Sequence, residues 1–154
     1  MTIINYNPIY RTAFEEMLVT YFTELNSDIP EPIIRGKLMD LIRDQVEKDI
    51  IHVALLLDDG VPAGFSIYQI DSSDSDWRKR PGWGFIREFF IAEHARRKGF
   101  GKALAAYCDE QMQQLGATDL YLTSDDAVEF WKKCGYQLTD EVASNKLPVL
   151  EKHF

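Results

Sequence analysis

A chain of 154 residues is one domain's worth of sequence and buries about two-thirds of its unfolded surface, so it needs no disulfide or metal staple. With 45% hydrophobic and 27% charged residues and no apolar run long enough for a membrane span or a signal-peptide core, it reads as a soluble, cytoplasmic protein. A net charge of −8 argues against a general nucleic-acid binder, whose affinity rests on neutralising phosphates.

Ile3 and Ile4 suit a short edge strand over Thr2 to Asn5, ahead of Pro8. From Ile9 to Leu25 the apolar residues Tyr10, Phe14, Met17, Leu18, Tyr21, Phe22 and Leu25 recur at helical spacing. Asn26 to Pro30 ends that helix, and a second starts near Glu31-Pro32, where proline is tolerated in the first turn, and runs toward Lys48. His52 to Leu57 and Val61 to Ile70 read as strands joined by the hairpin turn Asp58-Asp59-Gly60. The polar run Asp71 to Gly82 has the composition of a loop. Its Asp74, Asp76 and Trp77 are either a lid over a bound substrate or part of a plain mobile connection.

Ile86, Phe89, Phe90 and Ile91 form the next apolar strand, and Ala103, Leu104, Ala105, Cys108, Met112 and Leu115 mark one face of a helix. Between them lies Arg96-Arg97-Lys98-Gly99-Phe100-Gly101-Lys102. Such a strand-to-helix turn is an anion site: Gly99 and Gly101 permit positive φ and close approach, and the first N–H groups of the helix lack intrahelical partners. Arg96, Arg97, Lys98 and Lys102 add positive charge at the same spot on an otherwise acidic body, which suits an anionic cofactor here and a cationic acceptor elsewhere. Asp119 to Thr123 is a further strand, a helix opens at Ser124-Asp125-Asp126 and closes at Gly135, and Gln137-Leu138 and Leu147 to Lys152 read as terminal strands. Cys108 and Cys134 fall at helical positions and read as reduced core residues. His52 reads as structural, and no histidine or cysteine has metal-ligand spacing.

Arg96-x-x-Gly99-x-Gly101 directly after Glu88-Phe89-Phe90-Ile91 resembles the acetyl-CoA signature of the GCN5-related N-acetyltransferases (GNAT family). Ala127-Val128-Glu129-Phe130-Trp131-Lys132-Lys133-Cys134-Gly135-Tyr136 resembles that family's A-x-x-F-Y-x-K-x-G-F helix. The resemblance covers Val53 to Tyr136 and implies an α/β (α+β) fold, a mixed, mostly antiparallel central sheet flanked by helices on both faces, with residues 1–154 as one domain. It implies acetyl-CoA as co-substrate and no metal. The coenzyme pyrophosphate would lie at Arg96, Arg97, Lys98, Gly99, Phe100, Gly101 and Lys102, and the pantetheine arm along the main chain of Phe89, Phe90, Ile91 and Ala92. The acceptor would be a small-molecule or protein amine, met by Phe22, Asn26, Asp28 and Glu31 from the first two helices, and the protein a monomer or homodimer.

An alkylamine with a pKa of about 10.4 is almost wholly protonated at neutral pH, so transfer needs a base. Glu88 interrupts an apolar strand and matches the position of the family's glutamate base. Arg87 next to it should face the other side of the sheet and make a poor partner. Where the family places the tyrosine that protonates the leaving thiolate this chain has Trp131, whose indole N–H gives up no proton; Tyr121, Tyr136 or water are the substitutes. The leading reading is an acyl-CoA-dependent N-acetyltransferase. The alternative is a non-catalytic acyl-CoA-binding module of the same fold. A dinucleotide oxidoreductase fails for want of a further glycine and of an acidic residue at the needed distance.

Overall fold

The computed structural model describes residues 1–72 and 79–154. One sheet contains β1 (Thr2–Asn5), β2 (His52–Asp58), β3 (Val61–Ile70), β4 (Gly84–Ile91), β5 (Asp119–Thr123), β6 (Gln137–Val142) and β7 (Pro148–His153), in the order β1-β2-β3-β4-β5-β7-β6. Neighbours run antiparallel except for β4 and β5, which are parallel. Helix α1 is Arg11–Glu24; α2 is composite, an opening turn Glu31–Ile33, a π-helical stretch Ile34–Leu38 and a regular helix Met39–Glu47. Helices α3 (Phe100–Gln114) and α4 (Val128–Lys133) follow.

The sheet is covered on both faces, and β2 shows why its sequence is a nearly unbroken apolar run. Side chains alternate across a strand. Val53, Leu55 and Leu57 therefore pack with Phe14 and Leu18 of α1 and Ile42 of α2, whereas Ala54 and Leu56 join Leu104, Cys108 and Met112 of α3 on the other face. A smaller cluster of Phe85, Tyr121 and Val149 stacks beside Trp83, with Phe85 and Tyr121 rings 4.6 Å apart. The mixed, mostly antiparallel sheet with helices on both faces is the architecture the sequence resemblance implied.

Two details of β4 shape everything that follows. The first is its pairing with β5, which consists of Gly84 opposite Leu120 and Phe85 opposite Tyr121 and no more. The strands touch where glycine lets them: a Cβ on Gly84 would sit 2.5 Å from Leu120 Cδ2 and 2.7 Å from Met112 Sδ. Beyond Phe85 they part, so residues 86–91 are bonded to β3 on one side and have no strand on the other. The second is a β-bulge. Ile67 pairs with Glu88 but the next residue, Tyr68, pairs with Ile86, which leaves Arg87 as an extra residue in β4. The extra residue shifts the alternation, so Ile86 and Phe89, three positions apart, face the same core.

Some boundaries differ from expectation. The helix placed from Ser124 begins at Val128, because Ser124 Oγ accepts the Ala127 N–H at 3.2 Å and holds a separate turn ahead of it. β6 extends to Val142. Among the described residues, no helix is long and apolar enough to cross a membrane. Asp74, Asp76 and Trp77 lie outside the described residues, but the chain on either side is anchored. The buried Asp71 carboxylate accepts from Gln69 Nε2 at 2.8 Å, from the Arg80 N–H at 3.1 Å and from the Tyr121 hydroxyl. Arg80 in turn pairs with Glu151 at 2.6 Å and with Glu141.

Candidate active site

The turn between β4 and α3 is built from main chain. After β4, a short 3-10 turn (Glu93–Ala95) buries Ala95, and residues 96–99 emerge exposed. Gly99 lies at φ +80° with open space around its Cα, so a side chain there meets strain but no clash. Gly99, the residue at the N-cap of α3, has no side chain with which to cap it. Its first N–H groups, at Phe100, Gly101 and Lys102, therefore point outward without intrahelical partners, a ready anion site at the positive end of the helix dipole.

Within this turn the positive φ belongs to Arg97 (+65°) and Gly99, not to Gly101. Gly101 is glycine for a different reason: a Cβ would lie 3.2 Å from the Phe130 ring and 3.6 Å from Ile91 Cγ1, so it seats α3 against α4 and β4. Arg96 is not loose charge either. Its Nε donates to the Ile91 carbonyl at 2.8 Å and its Nη2 to Glu24 of α1 at 2.9 Å, so it ties turn, strand and helix together. Lys98 lies 3.6 Å from Asp58, and Arg97 and Lys102 extend into solvent with no ion pair among the described residues.

The edge left open by the parting of β4 and β5 leads to this turn. The Glu88 carbonyl accepts from Ser66 Oγ at 3.0 Å, and the Ala92 N–H bonds to Ala63 O at 2.8 Å, so residues 88, 90 and 92 turn their main-chain groups toward β3. By alternation Phe89 and Ile91 present theirs to the gap. Of the four residues expected to line a ligand by main chain, Phe89 and Ile91 are placed to do so, and the Ile91 carbonyl already has Arg96 as a partner.

On the α1/α2 face of β4 lies a cleft of about 50 Å³ lined by Leu18 and Phe22 of α1, Leu38, Leu41, Ile42 and Gln45 of α2, and Ile51, Ile67, Arg87 and Glu88. Leu38 comes from the π-helical stretch of α2. Because of the bulge, Arg87 and Glu88 both line this cleft, contrary to the expectation that neighbours on a strand face opposite sides. Burial raises the Glu88 carboxyl above the ordinary carboxylate value, against the pull of a hydrogen bond from Tyr21 and of the Arg87 charge. Tyr21 donates its hydroxyl to a Glu88 carboxylate oxygen and packs edge-on against Phe65 and Phe90. Burial and the adjacent Glu88 raise the phenol far above its usual value, opposed in part by the Phe89 backbone N–H. The phenol therefore stays protonated and acts as a donor.

Tyr21 was legible only as one apolar-face residue of α1; its partner is 67 positions away, and nothing local marks the pair. Of the other residues suggested for the acceptor side, Phe22 lines the cleft. Asn26 is an exposed helix exit at φ +55°, Asp28 is exposed, and Glu31 pairs with Arg35 at 2.8 Å.

Trp131 is buried, T-shaped to Phe89 at 4.8 Å and to Tyr136 at 5.5 Å, and its indole N–H has no hydrogen bond among the described residues. Neither tyrosine suggested as a substitute acid is available. Tyr136 donates to the buried Asp109 at 2.6 Å, which Lys152 neutralises at 2.8 Å, and Tyr121 donates to Asp71. Burial pushes the Cys108 thiol up to about 12, as fits an inert core residue, whereas Cys134 is only half-buried. His52 stacks on Tyr68 at 5.3 Å, and burial lowers its pKa. Among the described residues no group of His, Cys, Asp and Glu could hold a metal ion.

Three comparisons bear on this geometry. The family model described as the acetyltransferase (GNAT) family matches residues 11–136. Solved structures with the same fold include a PaiA N-acetyltransferase from Thermoplasma acidophilum in complex with coenzyme A, 15% identical over 100% of both chains with a TM-score of 0.71. A ribosomal-protein-alanine N-acetyltransferase from Brucella melitensis is 12% identical over 100% of both chains with a TM-score of 0.74. An aminoglycoside antibiotic 6'-N-acetyltransferase from Acinetobacter haemolyticus is 14% identical over 93% of this chain and 95% of that one, with a TM-score of 0.73. No curated protein sequence matches the chain.

Proposed function

The chain belongs to the GNAT family of acetyltransferases, and from that premise we propose that residues 1–154 act as one domain that moves an acetyl group from acetyl-CoA directly to a primary amine. The observation that carries this is the open edge of β4, which runs from the partly buried Glu88 to the uncapped start of α3. The residues present fit the coenzyme: unpartnered N–H groups at Phe100 to Lys102 and the charges of Arg97 and Lys102 suit a pyrophosphate, and the Phe89 and Ile91 main chain suits an amide-bearing arm. When bound, acetyl-CoA supplies an activated acetyl thioester.

The protein's part is to hold the amine and take its proton. Glu88, raised by burial, is the base, either directly or through one water, and Tyr21 fixes the carboxylate's orientation. The ammonium first gives one proton by way of Glu88 to solvent; the nitrogen then forms its bond to the acetyl carbon as the C–S bond breaks, the electron pair leaves on sulfur, and the nitrogen's second proton leaves by the same route. A thiol of pKa about 8.5 is an adequate leaving group without an acid, so Trp131 serves as packing beside Phe89. The free thiols of Cys108 and Cys134 fit the reducing cytoplasm.

The test is an amine panel with acetyl-CoA, monitored by thiol release, alongside calorimetry of acetyl-CoA binding. Turnover with at least one amine is expected. A second reading, a non-catalytic acyl-CoA-binding module, draws on the buried indole at Trp131 and the engaged hydroxyls of Tyr121 and Tyr136. Tight acetyl-CoA binding with no transfer, not rescued by Trp131→Tyr, would establish that module in place of an enzyme.

A further inference from the structure

Arg87 is the least explained charge in the described structure. It is half-buried, and its guanidinium has one partner, the Gln69 side-chain carbonyl at 3.2 Å, with no carboxylate in ion-pair distance among the described residues. Five N–H donors on a partly desolvated cation are poorly served by one neutral acceptor. The single contact is nonetheless firmly built. Gln69 is fully buried, and its amide nitrogen donates to the buried Asp71 at 2.8 Å, which fixes its oxygen on Arg87. The bulge then sets Arg87 on the wall of the cleft that Glu88 also lines.

We propose that the acceptor is a small free amino acid with an apolar side chain, its ammonium at Glu88 and its carboxylate on Arg87. This inference rests on reading the Glu88 cleft as the acceptor site. A planar guanidinium with unused N–H groups matches a carboxylate in a two-pronged geometry. Arg87 and Glu88 are consecutive and line one cleft of about 50 Å³, which suits a ligand whose amine and carboxylate are only a few bonds apart, as in an α-amino acid. The rest of the wall, Leu18, Phe22, Leu41, Ile42 and Ile67, is apolar, and about 50 Å³ admits only a compact body. The negative charge of the whole protein favours cations at long range, but a polyamine in this cleft would bring a second positive charge against Arg87.

L-Leucine, isoamylamine (the same body without the carboxylate) and spermidine separate the possibilities. Each is tested for thiol release with acetyl-CoA and, independently of turnover, for binding by calorimetry in the presence of coenzyme A. Wild-type protein is expected to favour leucine over isoamylamine by about a hundredfold in kcat/KM. Arg87→Gln should lose most of that preference, read as the ratio of leucine to isoamylamine use within the variant, so that any change it makes to Glu88 cancels. Equal use of leucine and isoamylamine, a preference for spermidine, or an unchanged leucine preference in Arg87→Gln overturns the inference and leaves the transferase reading intact. Leucine binding that Arg87→Gln abolishes, without thiol release from leucine, upholds the carboxylate site but overturns the amino acid as acceptor, and leaves the transferase reading to the wider amine panel.

Discussion

The two ends of the site are made of different material. On the proposed cofactor side, the turn from Arg96 to Lys102 offers main-chain N–H groups and solvent-exposed cations, and its strict demands on sequence are a residue that tolerates φ +80° at position 99 and one without a Cβ at position 101. On the proposed acceptor side, the cleft is walled by side chains, and its two charges, Arg87 and Glu88, owe their placement to one extra residue in β4. A site of main chain is robust to side-chain change but fragile to backbone change, and a site of side chains is the reverse. The first suits a ligand common to a whole family and the second an acceptor that differs from member to member.

The largest expected effect lies on the side-chain end. Glu88→Gln should cut turnover by about two decades or more at neutral pH and flatten the acid limb of the rate profile, with acetyl-CoA affinity within a few fold of wild type. An unchanged profile assigns deprotonation to solvent. Next, on the main-chain end, Gly99→Val should weaken acetyl-CoA binding by at least tenfold in calorimetry, because a β-branched residue resists the left-handed region and space around the Cα is open only until a ligand arrives. Gly101→Val does not make the same comparison, since its Cβ presses on Phe130 and the variant should lose thermal stability as well as affinity.

A finer probe is Tyr21→Phe. The Tyr21 hydrogen bond lowers the Glu88 pKa, so its removal should move the acid limb of the rate profile to higher pH and leave cofactor affinity unchanged. An unmoved limb would remove Tyr21 from the base's environment.

The smallest effect concerns stability. Because the folded pKa of Glu88 is raised, the fold prefers the protonated carboxyl; the stability this contributes is complete below the ordinary carboxylate pKa and is lost as pH rises through the folded value. Glu88→Gln should therefore melt higher than wild type at pH 7, by on the order of 2 °C, with the gap closing as the pH falls toward the ordinary carboxylate range. Melting curves at pH 7 and pH 4 read both halves.

The same division explains what the sequence made legible. Strand β2, helix α1 and the turn were readable because each follows a local rule: a short apolar run ending in a hairpin turn, period 3.6, and glycine beside free N–H groups. Glu88 stood out as a charge in an apolar strand. The orientation of Arg87 did not, because a bulge is a property of how β4 registers on β3 and no residue within β4 announces it. Tyr21 was hidden by long-range pairing, and the roles of Tyr121 and Tyr136 by their buried acidic partners, Asp71 and Asp109. Arg96 was assigned to the phosphate by its charge and its place in the Arg96-x-x-Gly99-x-Gly101 motif, whereas its geometry depends on Glu24 in a helix 72 residues earlier.

That last ion pair gives the two ends of the site a means of influencing each other. Arg96 grips the end of β4 with one nitrogen and the C-terminal turn of α1 with another, so a displacement of the turn would pull on the helix that lines the Arg87–Glu88 cleft. Any resulting cooperativity is reciprocal: the factor by which one substrate tightens the other is the same in either order of addition. It is also bounded. Both partners are substantially exposed, 43% and 38%, and such a pair is worth at most about 1 kcal/mol. The two substrates can therefore help or hinder each other through Arg96 by no more than about fivefold, and that coupling fades as salt is added.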